Sequence, residues 1–193
     1  MFPLGVLAGG EALNALNIQF NGLPFCDAAG NHPLTYPAGV TESSGKAVFN
    51  NVAANYIKVD RSSYRLQSSI EVICKINLTS NGTLQSVWTM LNAAGDQVFR
   101  LFIAADGSIG FYMGDYTGLA YFAYSWGTSV ELKVIYDKAA GELKLYKDGA
   151  LIGTVVSVGV QVNVKRDLRI GNYTAANPFP MNGQMDYLTI AEF

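Results

Sequence analysis

The chain has 193 residues, half of them hydrophobic, and its 13 Lys and Arg residues against 15 Asp and Glu residues give a net charge of -2. The basic residues are scattered, which argues against the continuous electropositive surface that nucleic-acid phosphates require. No stretch reaches the roughly 18 apolar residues of a membrane-spanning helix. We therefore expect neither nucleic-acid binding nor membrane insertion.

The first ten residues, which begin at Met1 and end at Gly10, are uncharged and mostly apolar. They lack the basic segment of a secretory signal. We predict that residues 1–14 form an N-terminal arm that packs against a neighbouring protein, with an unstructured start as the alternative. Because sandwiches of roughly 200 residues are commonly one unit, and no polar linker interrupts the rest, residues 15–193 are predicted to be a single domain.

After the arm, hydrophobic and polar residues alternate with period two, the pattern of strands with one buried face. Asp106-Gly107 and Asp148-Gly149 each separate two such segments, and Asp-Gly favours hairpin turns because both residues tolerate positive φ. Short strands without crossover helices predict an all-β, antiparallel two-sheet sandwich of jelly-roll type. The predicted strands are residues 16–21, 47–50, 56–60, 69–78, 87–92, 97–104, 108–113, 120–125, 130–136, 142–147, 150–156, 167–170 and 184–192.

The chain has two cysteines. Cys74 lies in register with the apolar residues of its predicted strand, which indicates a buried free thiol that packs as a small hydrophobic side chain. Cys26 lies in a loop rich in Pro and Gly. A disulfide between the two is the alternative, which the sequence leaves open because it does not give their distance.

Three segments in the second half of the chain have a recognisable order and spacing. They read LKLYKDGALI at residues 143–152, LRIG at residues 168–171 and NGQMDYLTI at residues 182–190. Together they resemble the C-terminal half of laminin-G-like domains, which belong to the concanavalin A-like lectin and glucanase superfamily. The resemblance covers roughly residues 45–193 and implies a jelly-roll sandwich.

The opening sequence MFPLGVLA is similar to the start of many structural proteins of tailed bacteriophages that carry such a domain. This resemblance implies a non-enzymatic virion component on the tail or capsid, present in multiple copies in a symmetric assembly. Residues 1–10 would then contact other virion proteins, and the sandwich would face a host surface. Outside a virion, we expect a secreted or cell-surface protein.

Enzymes occur in the same superfamily, so catalytic residues need separate consideration. Its glucanases carry a Glu-x-Asp-x-Glu strand, which points two carboxyl groups into one cleft as acid and nucleophile. This sequence has no such run, and His32 is its only histidine. We predict no catalytic residue, and a polysaccharide hydrolase remains the least favoured alternative. The glutamates are isolated: Glu11, Glu42, Glu71, Glu131, Glu142 and Glu192.

A cluster of aromatic residues between positions 112 and 126 suggests a lectin instead. Exposed aromatic rings commonly stack on sugar faces. Period-two alternation puts Phe122, Tyr124 and Trp126 on one face and Tyr121 on the other, so one of these sets packs in the core and plain packing is the competing interpretation. The predicted ligands of a cell-surface glycan are Tyr112, Asp115, Tyr116 and Tyr121.

Calcium is the one cofactor that the resemblance suggests, since members of the superfamily often hold it with loop carboxylates. Asp60, after a predicted strand, and Asp186, in the segment NGQMDY, are the matching positions. Oxygen ligands at strand ends suit Ca²⁺. A single Asp at such a position also commonly caps a turn, which is the alternative.

Overall fold

A computed structural model describes residues 16–20, 22–28, 33–59, 69–91, 97–113, 116–156, 167–173 and 178–193; at residues 97, 98, 113 and 116–122 only the backbone is described. The arm predicted for residues 1–14 lies outside these ranges. Within them every regular element is a strand, and no helix of the described chain is long and apolar enough to cross a membrane.

Sixteen strands form the described fold, in this chain order: β1 Leu16–Gln19, β2 Cys26–Asp27, β3 Leu34–Thr35, β4 Thr41–Ser43, β5 Lys46–Asn50, β6 Ile57–Val59, β7 Ile70–Leu78, β8 Gln85–Leu91, β9 Gln97–Ile103, β10 Ser108–Met113, β11 Tyr116–Ala123, β12 Ser129–Asp137, β13 Glu142–Lys147, β14 Ala150–Val156, β15 Asp167–Ile170 and β16 Asn182–Glu192.

The strands pair into two sheets whose ladders are antiparallel. The first sheet has the order β14-β13-β12-β7-β16-β1-β2, and β5 also pairs with β16 and with β4. The second sheet has the order β11-β10-β9-β8-β15-β6-β3. The chain crosses between the sheets after β2, β3, β5, β6, β7, β11, β14 and β15. The predicted two-sheet jelly-roll sandwich is confirmed.

The differences from the predicted strands have simple reasons. The structure adds β2, β3 and β4, which have two or three residues each and are too short for alternation to reveal. Strand β11 begins at Tyr116, four residues before the predicted start, because its first residues pair with the end of β10. The predicted turn at Asp148-Gly149 is confirmed, since both residues have positive φ, 49° and 81°.

The hydrophobic core lies between the two sheets. Its largest fully buried side chains include Trp88, Phe49, Phe99 and Phe111. Cys74 is fully buried, as predicted, and burial raises the pKa of its thiol to about 12. Cys26 is exposed and both cysteines are free, so the alternative disulfide is not formed.

Tyr124 and Trp126 take the packing role that alternation favours. Tyr124 is buried, and its ring meets that of Trp126 edge to face at 5.4 Å. The Tyr124 hydroxyl accepts a hydrogen bond from the Leu78 backbone N–H at 2.6 Å and donates one to the Thr128 carbonyl at 2.7 Å. Tyr124 therefore ties the segment after β11 to the end of β7.

Strand β16 is the central connector of the first sheet. It pairs with β7 on one side, and with β5 and then β1 on the other. The switch is accompanied by a bulge at Asp186, between Met185 and Tyr187. At Gly183 the φ angle is 143°, and an added Cβ would lie 2.3 Å from the Asn77 carbonyl oxygen. Only glycine fits this approach of β16 to β7.

The close contact at Gly183 can be tested against a glycine with matched backbone. Gly22 has a φ of 145°, with no atom within 4 Å of a built Cβ. Gly22→Ala therefore reports backbone strain alone, whereas Gly183→Ala adds a clash. We expect Gly183→Ala to lower the free energy of unfolding by about 2–3 kcal/mol more than Gly22→Ala in urea denaturation. Equal losses of unfolding free energy in the two variants would contradict this account, since they would mean that β16 and β7 move apart at no cost in stability.

Candidate functional site

One row of residues crosses the outer face of the second sheet. Its members are paired successively across the strands β3, β6, β15, β8, β9 and β10, and those of their chain neighbours whose side chains are described lie in the core or pack against it. Three of the six are cationic, so we name it the cationic row. The row consists of Thr35, Lys58, Arg169, Thr89, Arg100 and Tyr112.

The two arginines of the cationic row flank Thr89. Arg169 on β15 and Arg100 on β9 each pair with Thr89 on β8, the strand between them. Because neighbouring strands lie roughly 4.8 Å apart, the backbones of the two arginines are roughly 10 Å apart. Lys58 lies directly opposite Arg169, and like charges in that position oppose sheet formation. The register thus concentrates positive charge where folding alone does not favour it.

Arg100 is held among three aromatic rings. Its guanidinium carbon lies 4.8 Å from the ring centroid of Phe102, 4.9 Å from that of Tyr173 and 5.4 Å from that of Phe179. Contacts of this kind stabilise a guanidinium through the ring quadrupole. Burial lowers the pKa of Arg100, since the surroundings solvate its charge poorly. The rings therefore fix a partly dehydrated cation in one position.

Arg169 is arranged in a similar way on the other side of Thr89. Its guanidinium carbon lies 5.1 Å from the ring centroid of Tyr56. The buried Nε and Nη1 atoms of Arg169 and the buried Nε of Arg100 have no hydrogen-bond partner. Every ion pair among the described residues uses a lysine rather than an arginine. Both guanidinium groups thus retain unused donors.

One acidic residue lies beside the row. Asp167 precedes Arg169 by two positions on β15. It therefore lies on the same face of the sheet, because side chains alternate along a strand. Its Oδ2 is 4.0 Å from the Lys58 Nζ, while its buried Oδ1 has no hydrogen-bond partner. Asp167 accordingly balances charge at the Lys58 end of the row. The segment from Arg169 to Arg100 has no carboxylate partner among the described residues.

The segment after β15 carries two of the rings that contact Arg100, and Asn172 anchors it. The fully buried Asn172 donates from Nδ2 to the Ala53 carbonyl at 2.5 Å. Its Oδ1 accepts from the backbone N–H groups of Tyr173 at 2.7 Å and Phe179 at 2.8 Å. The Ser86 N–H, in β8, donates to the Phe179 carbonyl at 2.9 Å. One side chain thus ties both ring residues to the sheet.

The rings themselves form a compact platform. Tyr173 and Phe179 are stacked with their centroids 5.9 Å apart and their planes 15° from parallel. Phe102 packs on the outer side of β10 at Gly110, where a built Cβ would lie 2.2 Å from the Phe102 ring. Glycine at this position therefore makes the room for a ring beside Arg100.

The structure brings one of the four predicted glycan ligands into the cationic row. Tyr112 is half-buried and lies opposite Arg100. Asp115 lies outside the described residues. Tyr116 pairs with Met113, so Thr117 rather than Tyr116 lies opposite Tyr112. Tyr121 belongs to β11 and, like Tyr116, is described only by its backbone. The roles of Asp115, Tyr116 and Tyr121 stay predictions.

The two predicted calcium ligands are placed differently. Asp60 lies outside the described residues. Asp186 lies at the bulge of β16, where its carboxylate is 3.1 Å from the Lys46 Nζ and 3.9 Å from the Lys75 Nζ. Within the described ranges, no group of three or more His, Cys, Asp or Glu side chains could hold a metal. Calcium binding stays a prediction, and at Asp186 the ion would compete with two ammonium groups.

A groove lies on the first sheet, at the junction of β5, β16 and β7. This groove has a volume of about 510 Å³ and is lined by the side chains of Asn50, Asn77, Asn182 and Gln184 among others. Gln184 and Asn77 are cross-strand partners. It offers amides but no exposed aromatic ring among its lining residues. The cationic row combines rings with charged donors and is the more developed site.

Sequence reasoning missed most of this site. Arg100, Arg169, Tyr173 and Phe179 meet only through strand register and the path of one loop. The available signal was an arginine at an outward position of an apolar strand, as in VFRLF around Arg100 and LRI around Arg169. Such positions more often hold uncharged or short polar residues, because a charged group must be hydrated or paired.

No protein-family profile and no curated protein sequence matches the chain. Solved structures do. The fold is similar to the CBM40 domain of the Ruminococcus gnavus IT-sialidase, bound to α2,3-sialyllactose, with 20% identity, a TM-score of 0.57 and coverage of 66% of this chain and 76% of that one. It is also similar to domain 4 of AbnA, a GH43 extracellular arabinanase from Geobacillus stearothermophilus, in complex with arabinotriose, with 17% identity, a TM-score of 0.70 and 94% of both chains covered.

A third similar structure is the binding domain of botulinum neurotoxin serotype D, with 14% identity and a TM-score of 0.74. The match covers 94% of this chain and 48% of that one, so the chain spans about half the length of the toxin domain. At these identities the similarity concerns the fold. The chain is a jelly-roll sandwich of the kind found in carbohydrate-binding domains.

The charge of Arg100 can be separated from its packing by mutation. Arg100→Met keeps a long side chain against the rings, and we expect the free energy of unfolding to change by less than about 1 kcal/mol, because lost cation–π contacts are offset by relief of an unpaired, dehydrated charge. Phe102→Ala should cost about 3 kcal/mol, because it empties a buried site. Urea denaturation measures both. A loss for Arg100→Met as large as that for Phe102→Ala would contradict this account.

Proposed function

We propose that the chain is a non-enzymatic carbohydrate-binding domain that binds glycans on the outer face of its second sheet. The observation that carries the proposal is the arrangement of Tyr112, Tyr173 and Phe179 around guanidinium donors that lack hydrogen-bond partners. The fold, which resembles that of domains solved with sialyllactose and arabinotriose, supports it independently.

The residues of the row suit the two contacts that sugars make. The apolar faces of sugar rings stack on aromatic side chains, and the half-buried Tyr112 and Tyr173 offer such surfaces. Sugar hydroxyls accept hydrogen bonds, and the guanidinium groups of Arg100 and Arg169 are donors that no carboxylate of the described residues pairs with. Since rings already hold both guanidinium groups, a ligand would immobilise few side chains on binding, which favours affinity.

The proposal includes no catalysis. A glycoside hydrolase needs two carboxyl groups across a cleft, about 5–9.5 Å apart. Along the described part of the row the charged groups are cationic, and Asp167 is the acidic residue that lies beside them. A hydrolase is therefore disfavoured, and incubation of a bound glycan with the protein, followed by mass spectrometry, is expected to show no cleavage.

The bacteriophage role stays a prediction drawn from the opening residues. None of the similar structures named above is a virion protein, and residues 1–10 lie outside the described ranges. Binding of a host-surface glycan would be compatible with a virion, secreted or cell-surface location. The glycan-binding proposal does not depend on which of these applies.

The site is tested by truncating its rings. Tyr112→Ala and Tyr173→Ala are each expected to weaken binding about tenfold on a glycan array, since a lost stacking contact is worth roughly 1 kcal/mol or more. Tyr146→Ala is the matched control, because Tyr146 also stacks with a cation, Lys133 at 4.6 Å, but on the first sheet.

Two results would count against this site. Equal losses from Tyr146→Ala and Tyr112→Ala would place binding elsewhere or reveal a general defect. Binding that survives both Tyr112→Ala and Tyr173→Ala, but is lost in Gln184→Ala, would assign the glycan to the amide groove of the first sheet.

A further inference from the structure

We propose that the glycan bound by this face is acidic, and that a sugar carboxylate pairs with Arg100 and Arg169. The inference rests on the proposed function and adds to it the charge class of the sugar. It is carried by the cationic row itself, where two ring-held guanidinium groups flank one small hydroxyl residue, Thr89.

Ring packing explains where the guanidinium groups lie but not why they remain cationic and unpartnered. A methionine or leucine would pack against the same rings without leaving buried N–H groups unbonded. Three such atoms are unbonded here, Nε and Nη1 of Arg169 and Nε of Arg100. An unsatisfied buried donor lowers stability, most of all when it belongs to a charged group. A bound carboxylate would neutralise the charge, and it would satisfy these buried donors once the two side chains shift to meet it.

The geometry favours a planar, singly charged group. A guanidinium offers parallel N–H groups that match the two oxygens of a carboxylate. Partial burial strengthens such a bond, because water screens it less. On β8, the fully buried hydroxyl groups of Thr89 and Ser86 bond to each other at 2.8 Å.

The nearest acid does not block this use of the row. Asp167 is located toward β6, where Lys58 is its ion-pair partner. The whole chain carries a net charge of -2, so an anion gains no long-range attraction from the protein. Attraction would arise locally at the two arginines, and it would weaken as salt is added.

The test uses a glycan array on which sialylated and uronic-acid glycans are each printed beside the same glycan with its carboxyl group reduced to an alcohol. Sulfated glycans form a third set, because a sulfate ester is the other anion that arginine pairs bind. The intact protein is expected to bind at least one acidic glycan roughly 10–100-fold more tightly than its reduced twin, the range for one or two charge-assisted hydrogen bonds.

Variants assign the effect to the row. Arg169→Gln should remove most of the preference for the acidic glycan, so that the variant binds the acidic glycan and its reduced twin with similar affinity. Arg169→Lys, which keeps the charge but not the paired N–H groups, should retain an intermediate preference. Lys144→Gln is the control for net charge, because Lys144 lies on the first sheet in a partly exposed pair with Glu142. Its loss should leave the binding of both glycans unchanged. Circular dichroism confirms that each variant is folded.

The outcomes separate the two proposals. Equal binding of acidic and reduced glycans would overturn the acidic-sugar inference and leave the carbohydrate-binding function intact. A preference for sulfated over carboxylated glycans would also overturn it. Absence of binding to every glycan on the array would contradict the proposed function, and the inference would fall with it.

Discussion

The packing of Trp88, Phe99 and Phe111 between the sheets determines which residues of the second sheet lie on its outer face. Phe111 contacts Trp88 and Phe99 at ring-centroid distances of 5.8 and 6.2 Å. Since side chains alternate along a strand, a slip of one residue in β9 would place Arg100 in the core. The aromatic core therefore specifies the register, and the register aligns residues from six strands into one row.

Alternation and turn chemistry are local properties, and they predicted the fold well. Asp148-Gly149 and the strand around Cys74 could be assigned from neighbouring residues alone. The row could not, because its members are joined by pairing between strands far apart in sequence, such as β9 and β15 on either side of β8. Tyr112 was found because it lies in a local aromatic cluster. Tyr173 lies in a segment whose apolar residues have no regular spacing, so the sequence does not indicate which residues it contacts.

The row combines interactions that would otherwise oppose one another. Lys58 opposite Arg169 and the dehydrated Arg100 both reduce the stability of the sheet, whereas the surrounding rings partly compensate. Such local conflicts occur most often where a protein binds something, because folding alone would remove them. The same rings also preorganise the donors. The contacts of a few side chains therefore affect both the stability of the sheet and its ability to bind a ligand.

The anchoring of Asn172 affects how the protein can be produced. The sequence at residues 172–174 is Asn-Tyr-Thr. This Asn-x-Thr pattern is the acceptor for N-linked glycosylation in eukaryotic secretion. The acceptor nitrogen is the atom that bonds to the Ala53 carbonyl, and the side chain is fully buried. An oligosaccharide attached during translocation would occupy that space and hold Tyr173 away from Arg100. A bacterial expression host avoids this modification, whereas a secretory host would yield protein with an altered platform.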